Sequence, residues 1–145
     1  MDTPIFLVGY RAVGKTTIGE KLAARLACRF IDTDQMISQR KGASVRSIVD
    51  KEGWEGFRRV EKQILSELIH CGDCVVATGG GAIMHREQWR EIRGNSLVVW
   101  LTAAADILID RLGRDIHTAE CRPSLTGRES TIEIYDLLKE REPLY

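Results

Sequence analysis

Lys15-Thr16-Thr17 closes the stretch Gly9-Tyr10-Arg11-Ala12-Val13-Gly14, and the whole reads G-x-x-x-x-G-K-[ST]. Glycines at both ends let the backbone turn its N–H groups inward, so the loop wraps an anionic phosphate chain and delivers it to the N-terminus of the next helix. Lys15 is then within reach of the β- and γ-phosphates, and the Thr16 hydroxyl is placed to ligate the Mg²⁺ that bridges them. Ala12, Val13, Gly14, Lys15, Thr16 and Thr17 are the expected nucleotide contacts. The setting agrees with the motif, because the apolar run Ile5-Phe6-Leu7-Val8 precedes it and a helical pattern follows.

Other residues could do chemistry alongside this loop. Asp32 and Asp34 stand at and just beyond the end of a short strand pattern, where parallel strands with helical crossovers place their ligands. Gly79-Gly80-Gly81 follows an apolar run; three glycines are costly to order and suit a backbone that a ligand must approach closely. Arg58 and Glu61 lie three apart on a helical pattern, and spacing alone makes them a surface pair contributing about 0.2–0.5 kcal/mol. Cys71-Gly72-Asp73-Cys74 has metal or redox spacing, but no second C-x-x-C accompanies it, so free thiols are expected at Cys28, Cys71, Cys74 and Cys121. His70, His85 and His117 are scattered and read as surface residues.

The elements that must position these groups follow a βαβα order, which indicates an α/β protein with a parallel sheet. Strands are expected at 5–8, 29–32, 74–78 and 96–101, the last of them buried. Behind the phosphate loop, Ile18, Leu22 and Leu26 recur every four residues and are expected to form the buried stripe of a helix. A short helix over 35–41 is stopped by Gly42, and a second one ends near Gly53. From Trp54 to about His70 a longer helix turns Phe57, Val60, Ile64, Leu65 and Leu68 inward. Further helices are expected around 87–92, 103–112 and 132–142. Between the last two, residues 113–128 lose all periodicity and are polar, basic and bounded by glycines. A lid is the expected role of that segment, since closing over ATP excludes water that would compete as acceptor.

At 145 residues the chain falls in the range of one domain, expected over 1–145. Its 21 basic and 21 acidic residues cancel, which excludes a general electrostatic attraction to nucleic acid or to an anionic membrane. No leader pattern and no apolar run of spanning length is legible, so a cytoplasmic location is expected.

Taken together, six stretches resemble the shikimate kinases: Gly9 to Thr17, Phe30-Ile31-Asp32-Thr33-Asp34, Gly56-Phe57-Arg58-Arg59-Val60-Glu61, Thr78-Gly79-Gly80-Gly81, Arg122-Pro123-Ser124-Leu125, and Glu140-Arg141-Glu142-Pro143-Leu144-Tyr145. Each is weak alone, and the six in this order are specific. The resemblance implies a three-layer P-loop kinase fold with strand order 2-3-1-4-5, substrate-binding helices over about 34–70, and MgATP-dependent phosphorylation of the 3-hydroxyl of shikimate by a monomer. It implies that Lys15, Asp34 and Arg122 are catalytic, with Arg122 closing on ATP from the lid. Thr16 and Asp32 would serve the magnesium, Asp32 through water. Asp34 would hold the substrate hydroxyl, Gly79, Gly80 and Gly81 would admit the ring, and Arg58 with Arg141 would clamp the carboxylate, with Glu61 orienting Arg58. Guanidinium forks for a carboxylate and a carboxylate for hydroxyls are what a polyhydroxylated acid needs. Family members continue past the position of Tyr145 with a strand and helix whose connection helps hold adenine, so the fifth strand is expected to be missing from this chain.

Two alternatives stand beside this reading. Another small P-loop kinase, acting on gluconate or a nucleoside monophosphate, would share the loop; the want of an aromatic base pocket near Arg58 speaks against it. A nucleotide-binding module without turnover is the other.

Overall fold

The structure is a computed structural model and describes residues 3–114 and 130–145. Four short parallel strands, β1 (Ile5–Val8), β2 (Arg29–Asp32), β3 (Cys74–Ala77) and β4 (Leu97–Trp100), pair in the order β2-β3-β1-β4. Ile5 is in register with Val75 on one side and Leu97 on the other, and Arg29 with Cys74. The helices are α1 (Lys15–Leu26), α2 (Thr33–Lys41), α3 (Val45–Leu68), α4 (Arg86–Asn95), α5 (Ala105–Arg114) and α6 (Ser130–Arg141), with a 3₁₀ turn at Ala82–Met84. The order and the first four places of the expected sheet agree with the sequence reading.

Every residue of β1 is buried, because helices cover both sheet faces. Phe6 and Val8 face a core built from α2, α3 and α4 with Ile37, Phe57, Ile64, Leu65 and Ile92. Ile5 and Leu7 face α1 through Ala23. A third cluster joins the phosphate loop to α5 and α6 through Tyr10, Val13, Leu108, Ile134 and Leu137.

Three expectations need correction. The buried face of α1 is Lys15, Gly19 and Ala23, one position on from the expected stripe, and Ile18 and Leu26 are more than two-fifths exposed. The helix lies so close to the sheet that a Cβ on Gly19 would come 2.5 Å from the Phe30 ring, so no side chain fits at that position without a shift. Strand β4 is not buried: it is the sheet edge among the described strands, with Leu97 and Trp100 about half exposed. Cys71 and Cys74 are not free thiols but are joined as a disulfide across the turn into β3. At Gly53 the expected break is present, as a residue with φ 73° inside α3. Helix α5 continues through Gly113 and Arg114, and the rest of the expected lid, Arg122 included, lies outside the described residues.

Candidate active site

At the C-terminal ends of β1 and β3 the sheet order changes direction, and two glycine-bearing loops emerge side by side there. The first is the phosphate loop. Gly9 has φ 145° and its Cα abuts the Leu101 carbonyl, so no side chain fits at that turn. Ala12 takes a left-handed φ of 65°, and Gly14 caps α1 with φ 108°. Lys15 is buried, and its Nζ donates to the carbonyls of Gly9 at 2.6 Å and Tyr10 at 2.8 Å, so the ammonium lies across the mouth of its own loop.

Beside the loop, Thr16 Oγ1 donates to Asp32 Oδ2 at 2.9 Å. The other Asp32 oxygen caps α2, accepting from the amides of Asp34 at 2.9 Å and Gln35 at 3.2 Å. That cap explains why two aspartates so close in sequence point differently: the first is fixed by the helix end and the second enters the first turn. The pair Thr16 and Asp32 offers hard oxygens suited to a Mg²⁺ that keeps most of its waters and phosphate ligands, and among the described residues no cluster of three or more His, Cys, Asp or Glu side chains offers a cage.

The second loop is Gly79-Gly80-Gly81. Thr78 is anchored to β1 by its amide at 3.2 Å and its hydroxyl at 2.9 Å, both donating to the Leu7 carbonyl, and the Gly79 amide donates to the buried Thr33 hydroxyl at 3.0 Å. The reason for three glycines is visible in what surrounds them. A Cβ on Gly79 would come 2.8 Å from Glu61 Oε1 and 2.9 Å from Asp34 Oδ1; one on Gly80 would come 3.0 Å from the Arg11 amide; one on Gly81 would overlap the Arg58 guanidinium. Side chains from α2 and α3 therefore reach bare backbone.

These groups line one cleft next to the phosphate loop: Asp34, Arg58, Gly79, Gly80, Gly81 and Arg141 converge there, brought from four separate stretches of chain. Arg58 Nη1 donates to Glu61 Oε2 at 2.7 Å, so the pair expected from their spacing is present, but Glu61 is fully buried rather than on the surface. Arg141 is buried at the end of α6, 6.0 Å above the Tyr10 ring. The expected want of aromatics near Arg58 is corrected: Trp54 and Phe57 both flank its guanidinium at 5.4 Å, packed edge to face with each other. Both rings line the same cleft as the glycines, and their faces favour the cation between them.

Sequence reasoning passed over several participants. Arg11 lines the cleft, tethered to the buried Glu133 at 3.6 Å. Arg111 of α5 donates to the carbonyls of Ala12 at 3.1 Å and Val13 at 3.2 Å, bracing the strained turn of the phosphate loop from behind. Tyr145 stacks on Trp100 and donates to the Gly80 carbonyl at 2.5 Å; burial pushes its phenol up to about 12, so it stays a donor. His85, read as a surface residue, is only 12% exposed and bonded to Glu61. Nothing in spacing marks these residues, since each acts through a contact between elements far apart in the chain.

A phosphate loop at a strand end, a hydroxyl and carboxylate beside its lysine, and a neighbouring cleft with cations and a carboxylate define a P-loop kinase of small molecules. The family profile "Shikimate kinase" matches residues 11–145. Shikimate kinase 2 of Yersinia enterocolitica is 46% identical over 145 residues, which is all of this chain and 82% of that one. The shikimate kinase of Syntrophus aciditrophicus is 40% identical over 152 residues, 99% of this chain and 78% of its own. Among solved structures, shikimate kinase from Acinetobacter baumannii in complex with shikimate superposes with a TM-score of 0.92 at 36% identity, covering 100% of this chain and 79% of that one. This chain belongs to the shikimate kinase family. A gluconokinase from Sinorhizobium meliloti, at 18% identity and TM-score 0.51 over 95% of this chain and 74% of its own, shares the fold alone.

Proposed function

We propose that this chain transfers the γ-phosphoryl group of ATP to the 3-hydroxyl of shikimate, forming shikimate 3-phosphate and ADP. The observation that carries this reading is the convergence of Asp34, Arg58, Arg141 and the three glycines in one cleft beside the phosphate loop. A compact hydroxy acid matches that lining: guanidinium groups for its carboxylate, a carboxylate for its hydroxyls, and bare backbone for its ring.

In this mechanism the protein does little covalent work and accelerates transfer by position and charge. Arg58 and Arg141 hold the substrate carboxylate, which sets the ring so that one hydroxyl meets Asp34. That oxygen forms its bond to the γ-phosphorus as the bond from phosphorus to the β,γ-bridging oxygen breaks, and Asp34 accepts the hydroxyl proton. Lys15 stabilises negative charge on the moving group, with Arg122 of the lid as its partner. Thr16 and Asp32, through water, would hold Mg²⁺, which supplies charge neutralisation on the phosphates when bound. The same reading takes residues 1–145 as one domain acting as a cytoplasmic monomer; no described helix is long and apolar enough to cross a membrane. The test is ADP release and product mass from MgATP with shikimate, with gluconate and nucleoside monophosphates as competing acceptors. Turnover with gluconate but not shikimate overturns the reading.

Two outcomes follow from the clamp. Arg58→Lys keeps the charge but loses the planar fork, so KM for shikimate rises about tenfold or more while KM for ATP stays nearly constant. An effect confined to ATP would return Arg58 to a structural ion pair. Gly81→Ala tests the same group sterically. Gly81 has φ −95°, which alanine adopts without strain, so the fold is kept while the added methyl displaces the Arg58 guanidinium. Weaker shikimate binding is expected, with a lower thermal midpoint to the extent that the displaced guanidinium leaves the buried Glu61, and wild-type kinetics would show that Arg58 does not need its observed place.

A further inference from the structure

Glu61 stands where the substrate helix meets the glycine loop, and it is fully buried. A buried carboxylate is costly unless paired and hydrogen-bonded, and breaking such a pair is more destabilising than its absence. Two donors converge on one of its oxygens: Arg58 Nη1 at 2.7 Å and His85 Nε2 at 2.9 Å. A carboxylate only accepts, so it is the Nε2–H of His85 that donates. The other oxygen, Oε1, accepts nothing among the described residues and abuts Gly79. His85 comes from the opposite wall, directly after the 3₁₀ turn Ala82–Met84, which is itself pinned by the Trp89 indole donating to the Ala82 carbonyl at 2.7 Å.

We infer that His85 is a positioning residue for substrate binding, acting through Glu61 on Arg58. The inference rests on the proposed role of Arg58 as a carboxylate clamp. When a substrate carboxylate engages Arg58, the guanidinium charge is shared between two anions and Glu61 is held less strongly by it. The His85 N–H then keeps Glu61 partnered and in place, so Arg58 keeps its plane while it serves the ligand. The contact also ties the far end of the glycine loop to α3, fixing the distance between the two walls that a ring must enter. Arg58 and Glu61 lie one turn apart on the same helix, and their own approaches to the loop, at Gly81 and Gly79, are packing contacts rather than hydrogen bonds. Removal of the His85 bond therefore weakens the substrate-bound state more than the free protein, and leaves the nucleotide side untouched.

The experiment compares His85→Ala, His85→Gln, Glu61→Gln and the double variant His85→Ala/Glu61→Gln by steady-state kinetics, alongside thermal midpoints. His85→Ala is expected to raise KM for shikimate about tenfold, the loss of one hydrogen bond to a charged group, with KM for ATP unchanged. His85→Gln, whose amide donates to the same oxygen, recovers a large part of that loss. The double variant is no worse than Glu61→Gln alone, because the histidine acts through that carboxylate. Equal increases in both KM values, or full additivity in the double variant, overturn the inference and leave His85 a packing residue. If the wild type turns over shikimate and His85→Ala matches it, the inference fails while the proposed function stands; if the wild type does not turn over shikimate, the function itself fails first.

Discussion

Lys15→Met loses at least 10²- to 10³-fold in kcat, the range for removing one preorganised donor from a developing oxyanion. The expectation rests on where the ammonium is held: buried, at the mouth of the loop, with the Gly9 and Tyr10 carbonyls as its ligands. A cation held beside the loop in which the phosphates are expected counters the charge that grows on the transferring phosphoryl group, so it is expected to stabilise the transition state more than the bound nucleotide. The same two carbonyls give the substitution a second consequence. Methionine offers them no donor, and buried acceptors left without one cost about 1–3 kcal/mol, so the variant also melts several degrees lower without any ligand. Measuring kcat and the ligand-free thermal midpoint together separates the two roles. A variant with kcat within a few-fold of wild type would remove Lys15 from the phosphate cradle, whatever its midpoint.

Much of the frame could be read in advance because its signals are local. A phosphate loop needs consecutive residues, Gly53 breaks a helix by its own backbone, and the apolar runs of β1 and β3 are buried on both faces as continuous runs should be. The stripe of α1 was misplaced for a reason local pattern does not carry. Distance to the sheet, not hydrophobicity, selects Gly19 and Ala23 for the inner face, and larger apolar residues are left outside. Strand β4 reads as buried because its composition matches β1, yet burial depends on what lies beside it, and among the described strands it has a neighbour on one side only. In the cleft, Asp34, Arg58 and the glycines come together as expected, whereas the residues that hold them were silent. Thr33 fixes Gly79, Arg111 braces Ala12, and His85 holds Glu61, each over 24 or more positions of sequence. A side chain that works by one long-range hydrogen bond leaves no periodicity and no spacing to detect.

The two aspartates at the end of β2 separate most sharply under magnesium titration. Asp32 accepts a hydrogen bond from the Thr16 hydroxyl at one oxygen and caps α2 with the other. Asparagine keeps the capping oxygen, and as an N-cap it ranks with aspartate, so Asp32→Asn folds normally. It lacks the negative charge that favours the metal, so activity falls and is partly recovered at high Mg²⁺. Asp34 sits in the first turn of α2, its Oδ1 against Gly79. Asp34→Asn keeps the size and some hydrogen bonding but cannot accept the hydroxyl proton, so kcat falls roughly 10²-fold or more, as for loss of a general base. Added magnesium does not restore it, because nothing on the metal side has changed. With shikimate saturating, steady-state rates of both variants across a magnesium range give one curve that climbs toward wild type and one that stays flat. Equal recovery of the two would mean that both carboxylates serve a single metal site, and the proton acceptor would have to be sought among other groups of the cleft.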